Sequence, residues 1–409
     1  MAAKESGVHG YAHVITEDTK NPKLLFLGTE LGLWVSVDGG DHWAQYKGSN
    51  FPAVAVRDIV IQDRESDLVL ATHGRGIWII DDISPLRALT PEVLSAEAAL
   101  LPSRRSVQYL QAGGGWAEGD NTFNGPGRPE AATITYYQRA RHMKGDLKIE
   151  VFDAQGKLMD TLTPGMKRGI NRVQWSMRQK PPKVPPAATA LFEAGVGPRV
   201  LPGTYTVKLT KNGKVYNGKL EVALDPRAKF TVEDRKAQFA LMGKLSETIG
   251  HMSWAVEAIT GVRDAANARA AGLDASDPLR TELTAYADKA NALRSRIVAT
   301  KEGGAITGEE RIREYLGSVY GAVNSYEGRP TKAQADRAAV LSHELDDVVG
   351  EFTKLNTSKL AALNQSLTSK KLAAITVLDE GEWKKKAAAE AAGSPTPGAD
   401  KFRLFFEND

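Results

Sequence analysis

The chain of 409 residues contains no cysteine, which excludes disulfides and thiolate metal sites and leaves no redox mark of a compartment, so both cytoplasmic and exported locations fit. It has no apolar stretch approaching the ~18 residues of a membrane-spanning helix, and Met1–Gly7 lacks the apolar core of a secretory signal. No membrane span and no signal peptide are therefore expected in this chain. Charge of one sign is lacking too: 53 basic residues face 50 acidic ones, a net charge of +3. Such balance gives no global attraction to nucleic acid or an anionic membrane. The length leaves room for two to four domains of ~100–200 residues.

What is present begins with Ser36-Val37-Asp38-Gly39-Gly40-Asp41-His42-Trp43. That spacing of Ser36, Asp38, Gly40 and Trp43 reads as an Asp-box turn of a β-propeller blade, preceded by the short apolar runs Leu24–Leu27 and Gly32–Ser36. Gly32-Leu33-Trp34 recurs 44 residues later as Gly76-Ile77-Trp78, and Gly28-Thr29 is echoed by Ala71-Thr72. The period fits a four-stranded blade of ~40–45 residues. The second copy lacks the Ser and paired Gly of the box and reads Ile80-Asp81-Asp82-Ile83 instead. A propeller closes with roughly 4–8 blades, whereas two are legible here. The missing blades are expected from upstream sequence or another chain.

Three further regions follow, giving a multidomain β plus α chain. Residues 1–90 read as terminal, incomplete propeller blades and 101–228 as a small β-sandwich, with alternating strands at Thr133–Tyr137 and Leu147–Phe152. Lys211-Asn212-Gly213-Lys214 predicts a type I′ hairpin, and the proline-rich Pro181–Pro186 a loop. Residues 229–372 carry apolar seams at three- and four-residue spacing, predicting an antiparallel helical bundle opened by Thr231, Asp277, Thr307 and Thr331. Residues 373–409, rich in Lys, Ala, Gly and Pro, predict a flexible tail. One reading makes the bundle an oligomerisation device.

Together Gly10-Tyr11-Ala12-His13, the Gly28 to Trp43 segment, Thr72–Trp78, Pro202-Gly203-Thr204-Tyr205 and the Gly328–Gln334 turn resemble the sortilin-like, Asp-box (BNR repeat) family of bacterial exported proteins, whose members are often labelled glycosyl hydrolases. The resemblance touches the blades, the sandwich and the helical bundle. It implies final propeller blades, an Ig-like β-sandwich of the flagellar hook-cap type and a helical tail, in a periplasmic or extracellular protein. Where such proteins tend to show Asn-Pro-Pro-Gly-Ala at the entry to the first Ig strand, this chain has Gly127–Ala132.

For the Asp box a structural role is expected, since in propellers that carry it the turn is peripheral. Thr72-His73-Gly74-Arg75-Gly76 is the candidate for ligand binding: flanking glycines let backbone approach, and Arg75 offers a fork for a carboxylate. The alternative pairs Arg75 with a neighbouring blade. Arg57 joins Arg75 and His73 as a ligand-binding candidate. His9 and His13, four apart, suit a metal only on a helix, so no metal and no cofactor is expected. Gly113-Gly114-Gly115-Trp116 lacks the ending of a phosphate loop. Two functions stay open: a non-catalytic segment recognising peptide or glycan, or the C-terminal part of a sialidase-like glycoside hydrolase with its catalytic residues upstream. No catalytic residue is assigned here.

Overall fold

The computed structural model describes residues 7–47, 51–110, 130–189, 191, 193–303 and 308–393. The chain is a multidomain β plus α protein with two compact units, one within residues 7–177 and 202–225, the other within 178–201 and 226–393. The glycine run at 113–115 and Phe402–Phe406 lie outside the described residues.

Two sheets open the first unit. β1 (Ala12–Glu17), β2 (Leu25–Thr29), β3 (Gly32–Ser36) and β4 (Ala44–Gln45) form a four-stranded antiparallel meander. β5 (Val56–Gln62), β6 (Asp67–Thr72) and β7 (Ile77–Ile80) form a three-stranded one. Phe26 and Leu33 of the first and Val56, Ile59, Leu68 and Leu70 of the second share one buried cluster. The approach is close: a Cβ on Gly28 would sit 2.7 Å from the Val56 carbonyl oxygen. Alternation divides the second sheet into two faces. Ile59, Leu70 and Trp78, in register, turn to the cluster, while Val60, Val69 and Ile79 line the other face with Ile77. On that face Val60, Ile77 and Ile79 are 56%, 73% and 60% exposed.

α1 (Ser84–Arg87) and α2 (Pro91–Ser95) lead onward. Arg87 forms a buried pair with Asp18 at 2.8 Å; burial pushes the Asp18 carboxyl up, but the bonds from Arg87 and two backbone N–H groups hold it below its ordinary value. β8 (Ala98–Leu101), β9 (Ser106–Gln108), β10 (Ala132–Gln138), β11 (Leu147–Phe152), β12 (Leu158–Leu162), β13 (Gly169–Trp175), β14 (Gly203–Lys211) and β15 (Lys214–Leu224) then build two sheets, ordered β13-β10-β8 and β12-β11-β14-β15-β9. Trp175 of one stands edge-on to Tyr205 of the other, ring centroids 5.2 Å apart. At the β14–β15 turn Asn212 and Gly213 have φ of 49° and 76°, as the Asn-Gly pair required. Arg172 ties β13 to the end of β7 by donating to the Asp81 and Asp82 carbonyls at 2.9 and 2.6 Å.

The second unit holds α3 (Val232–Ala271), α4 (Pro278–Ile297), α5 (Ile312–Asn324), α6 (Lys332–Ser369) and α7 (Glu380–Gly393). Capping boxes at Thr231 and Thr331 and an Asp277 cap open α3, α6 and α4, and the apolar seams of these helices share one core.

Three features differ from the expectation. The proline-rich segment at 178–201, expected within the 101–228 region, belongs to the helical unit. Prolines remove donors, but every residue of the segment keeps its carbonyl, and the helices use several: Arg313 donates to Pro185 O at 2.8 Å, Ser253 to Lys183 O at 2.5 Å and Tyr320 to Val196 O at 2.9 Å. The stretch 373–393 is no flexible tail, because Ile375 and Trp383 are buried and α7 is held by Glu380, which accepts from His251 and pairs with Lys384. α5 starts at Ile312 rather than at Thr307, which lies outside the described residues. Glu309 instead accepts the Thr300 N–H at 2.8 Å, and Glu314 takes up the Arg311 N–H at 3.0 Å.

Candidate functional site

The two opening sheets repeat in their bonds. In β1 the pairing with β2 slips between Ala12 and Val14; in β5 the pairing with β6 slips between Val56 and Asp58. The extra residues are His13 and Arg57, 44 positions apart, and Arg57 Nη1 lies 3.3 Å from His13 Nδ1. A bulge re-aims the side chain it adds, and here both bulges turn theirs to one place. Thr19 and Asp63, also 44 apart, bond at 2.6 Å. Thr29 donates to the Gly32 carbonyl as Thr72 does to that of Gly76, and the Gly39 N–H reaches Lys23 O as the Ile83 N–H reaches Ser66 O.

Guanidinium groups only donate, so the Arg57 contact makes His13 Nδ1 an acceptor and puts the ring proton on Nε2. That nitrogen is buried and has no hydrogen-bond partner among the described residues. A buried unpaired donor costs about 1–3 kcal/mol, and an acceptor arriving from outside would relieve it. Arg57 is a candidate on the sequence alone, whereas His13 is marked there only by standing 44 positions before it. Among the described residues no group of His and acidic side chains could hold a metal ion.

The His73–Gly76 loop sits at this same end of the second sheet, since the His73 N–H donates to Ala55 O at 2.9 Å, two residues before Arg57. Gly74 and Gly76 have φ of 82° and 70°, conformations that admit glycine readily. The Trp78 indole donates to Arg75 O at 3.0 Å, pinning the loop, while His73 and Arg75 are themselves exposed. One end of the two sheets thus gathers His13, Arg57, His73 and Arg75.

The Ser36–Trp43 turn lies at the other end, between β3 and β4. The Ser36 hydroxyl donates to Asp38 at 2.7 Å and accepts the Gly40 N–H at 2.9 Å; the Trp43 indole donates to Gly40 O at 2.9 Å. Asp38 also accepts the His42 N–H at 3.0 Å. Burial raises the Asp38 carboxyl, but the His42 backbone, the Ser36 hydroxyl and the His42 ring bring it to about 2. Its acceptors are consumed in holding the turn.

No family model matches the chain, and no curated protein does. A search of solved structures finds a Salmonella alpha-2-macroglobulin mutant, Y1175G, at 12% identity and a TM-score of 0.18, covering 49% of this chain and 12% of that one. The chain thus spans about an eighth of that protein's length. Among the described residues no helix is long and apolar enough to cross a membrane.

Proposed function

We propose that this chain is a non-catalytic ligand-binding or scaffold segment of an exported, sortilin-like Asp-box propeller protein, with the two opening sheets as blades and the two-sheet region after them as an Ig-like sandwich. The observation that carries the reading is the repetition of bulge, backbone bond and side-chain bond at an offset of 43 to 44 residues. Stacking equivalent faces head to tail is a heterologous contact, which closes into a ring when enough copies are present. In such a ring β1 and β5 are neighbouring inner strands, His13 and Arg57 line the channel, and Arg75 and His73 stand at its mouth. The ligand is a peptide or glycan carrying a carboxylate, bound by the arginine forks and the His13 Nε2–H. Further blades, from upstream sequence or a second chain, cover the open faces.

Binding of sialyllactose and of an acidic peptide to the full chain tests this. Arg57→Ala with Arg75→Ala is expected to weaken whichever binds by about tenfold or more. Turnover of a chromogenic glycoside, unaffected by these substitutions, would contradict the non-catalytic reading.

A further inference from the structure

β14 runs Tyr205, Val207 and Leu209 down the core face of its sheet, and each is buried. The period of two puts Lys211 next in that column, and Lys211 is only 4% exposed. A buried lysine is almost always paired. Lys211 makes no ion pair with a carboxylate among the described residues; instead it lines an open cleft of about 380 Å³ together with Glu97, Arg139, Arg141, His142, Lys144 and Asn212.

Cations predominate in the lining of the cleft. Arg139, Arg141 and Lys144 are exposed, and among the described residues no carboxylate pairs with any of them; Arg139 spends one N–H on the Ser95 carbonyl at 3.3 Å. Glu97 is the one acidic side chain of the lining, and it accepts from Asn212 at 3.4 Å. The walls are built rather than loose. The His142 Nε2–H donates to Gly145 O at 3.2 Å, and the Gly213 N–H donates to the Asp146 carboxylate at 3.0 Å, which clamps the 142–146 loop to the β14–β15 turn. Gly145 has φ of 93°, and a Cβ there would clash with Asn212 Oδ1, so the loop lies directly on the turn.

We propose that this cleft is a binding site for a tetrahedral oxyanion, a sulfate or phosphate ester on a unit no larger than a monosaccharide, with Lys211 as the buried counter-charge and Arg139, Arg141 and Lys144 as the rim. The volume lies in the range of small-molecule sites, and a guanidinium pair with two ammonium groups matches tetrahedral oxygens better than a single carboxylate. The net charge of +3 over the whole chain hides the patch, because it is local. The cleft stands whether or not further sheets join the first two.

The test is calorimetric titration of the full chain, at low ionic strength, with inorganic sulfate, inorganic phosphate, galactose 6-sulfate, glucose 6-phosphate and galactose. Saturable binding of an oxyanion is expected, about tenfold weaker in Lys211→Met and several-fold weaker in Arg141→Ala with Lys144→Ala. A tighter sulfate ester assigns the source to sulfated sugars, a tighter phosphate ester to phosphorylated ones, and equal affinity for free ion and ester to the head group alone. A second readout guards against misfolding: Lys211→Met should melt at or above the wild-type temperature without ligand and lose the rise that ligand gives the wild type. Absence of saturable oxyanion binding, binding unchanged in Lys211→Met, or galactose binding as well as its sulfate would overturn the proposal.

Discussion

The two sheets that open the chain share a 44-residue grammar and differ in how each ends. Asp38 and Asp82 occupy the same repeat position. In the first sheet Asp38 folds the chain back through the Ser36–Trp43 turn to β4; in the second, Asp82 takes φ of 50° and accepts from the Ser84 N–H at 3.1 Å and the Arg104 N–H at 3.1 Å, sending the chain away into α1. One aspartate thus serves two exits, and the loss of the neighbouring Ser and Gly decides which. The faces differ as well. Gly28, pressed on β5, corresponds to Ala71 on the open face of the second sheet, where a side chain has room.

The largest effect is expected at that pair. Gly28→Val should destabilise the first unit by about 3 kcal/mol through overpacking against Val14 and Val56, read as a lower urea midpoint. Ala71→Val should be neutral in the chain by itself and costly only where another sheet covers it. Equal effects at both positions would break the distinction between a closed and an open face.

Next come the exits. Asp82→Ala leaves two part-buried donors, at Ser84 and Arg104, and should cost about 2 kcal/mol, against about 1 kcal/mol for Asp38→Ala, whose carboxylate is partly solvated. Thermal melts of the two variants would rank them. A smaller effect concerns acid. The folded-state Asp38 sits at about 2, below its ordinary 3.8, so its stabilisation is present above the higher value and is lost as pH falls through the lower one. Asp38→Asn should therefore flatten the fall in stability between those two values, and an unchanged slope would remove Asp38 as its source.

Much of this architecture was legible. The Gly-x-Trp repeat at 44, the Asn212-Gly213 turn and the caps at Thr231, Asp277 and Thr331 are local patterns whose chemistry acts within a few residues. The bulges were not, because neither His13 nor Arg57 is a residue type that marks a bulge; only the register reveals them. Thr307 has the letters of a cap but lies outside the described residues, and the helix opens at Ile312. The alanines of α7 suit both a tail and a helix, and burial of Trp383 decides between them. Lys211 stood at an inward position of a visible alternation, yet a hairpin flank with lysines reads as solvated until its burial is known.

The central claim is that the face carrying Val60, Ile77 and Ile79 is an interface in the working protein. The absence of cysteine gives a direct test: Ile77→Cys and Ile79→Cys each introduce a single thiol, with Val215→Cys, at a residue 49% exposed, as the reference. In protein isolated from its own source with whatever accompanies it, maleimide labelling at positions 77 and 79 should be far slower than at 215 until the fold is opened by denaturant. Labelling at all three positions at the same rate would mean that this face meets water, and that the two sheets are not blades of a larger ring.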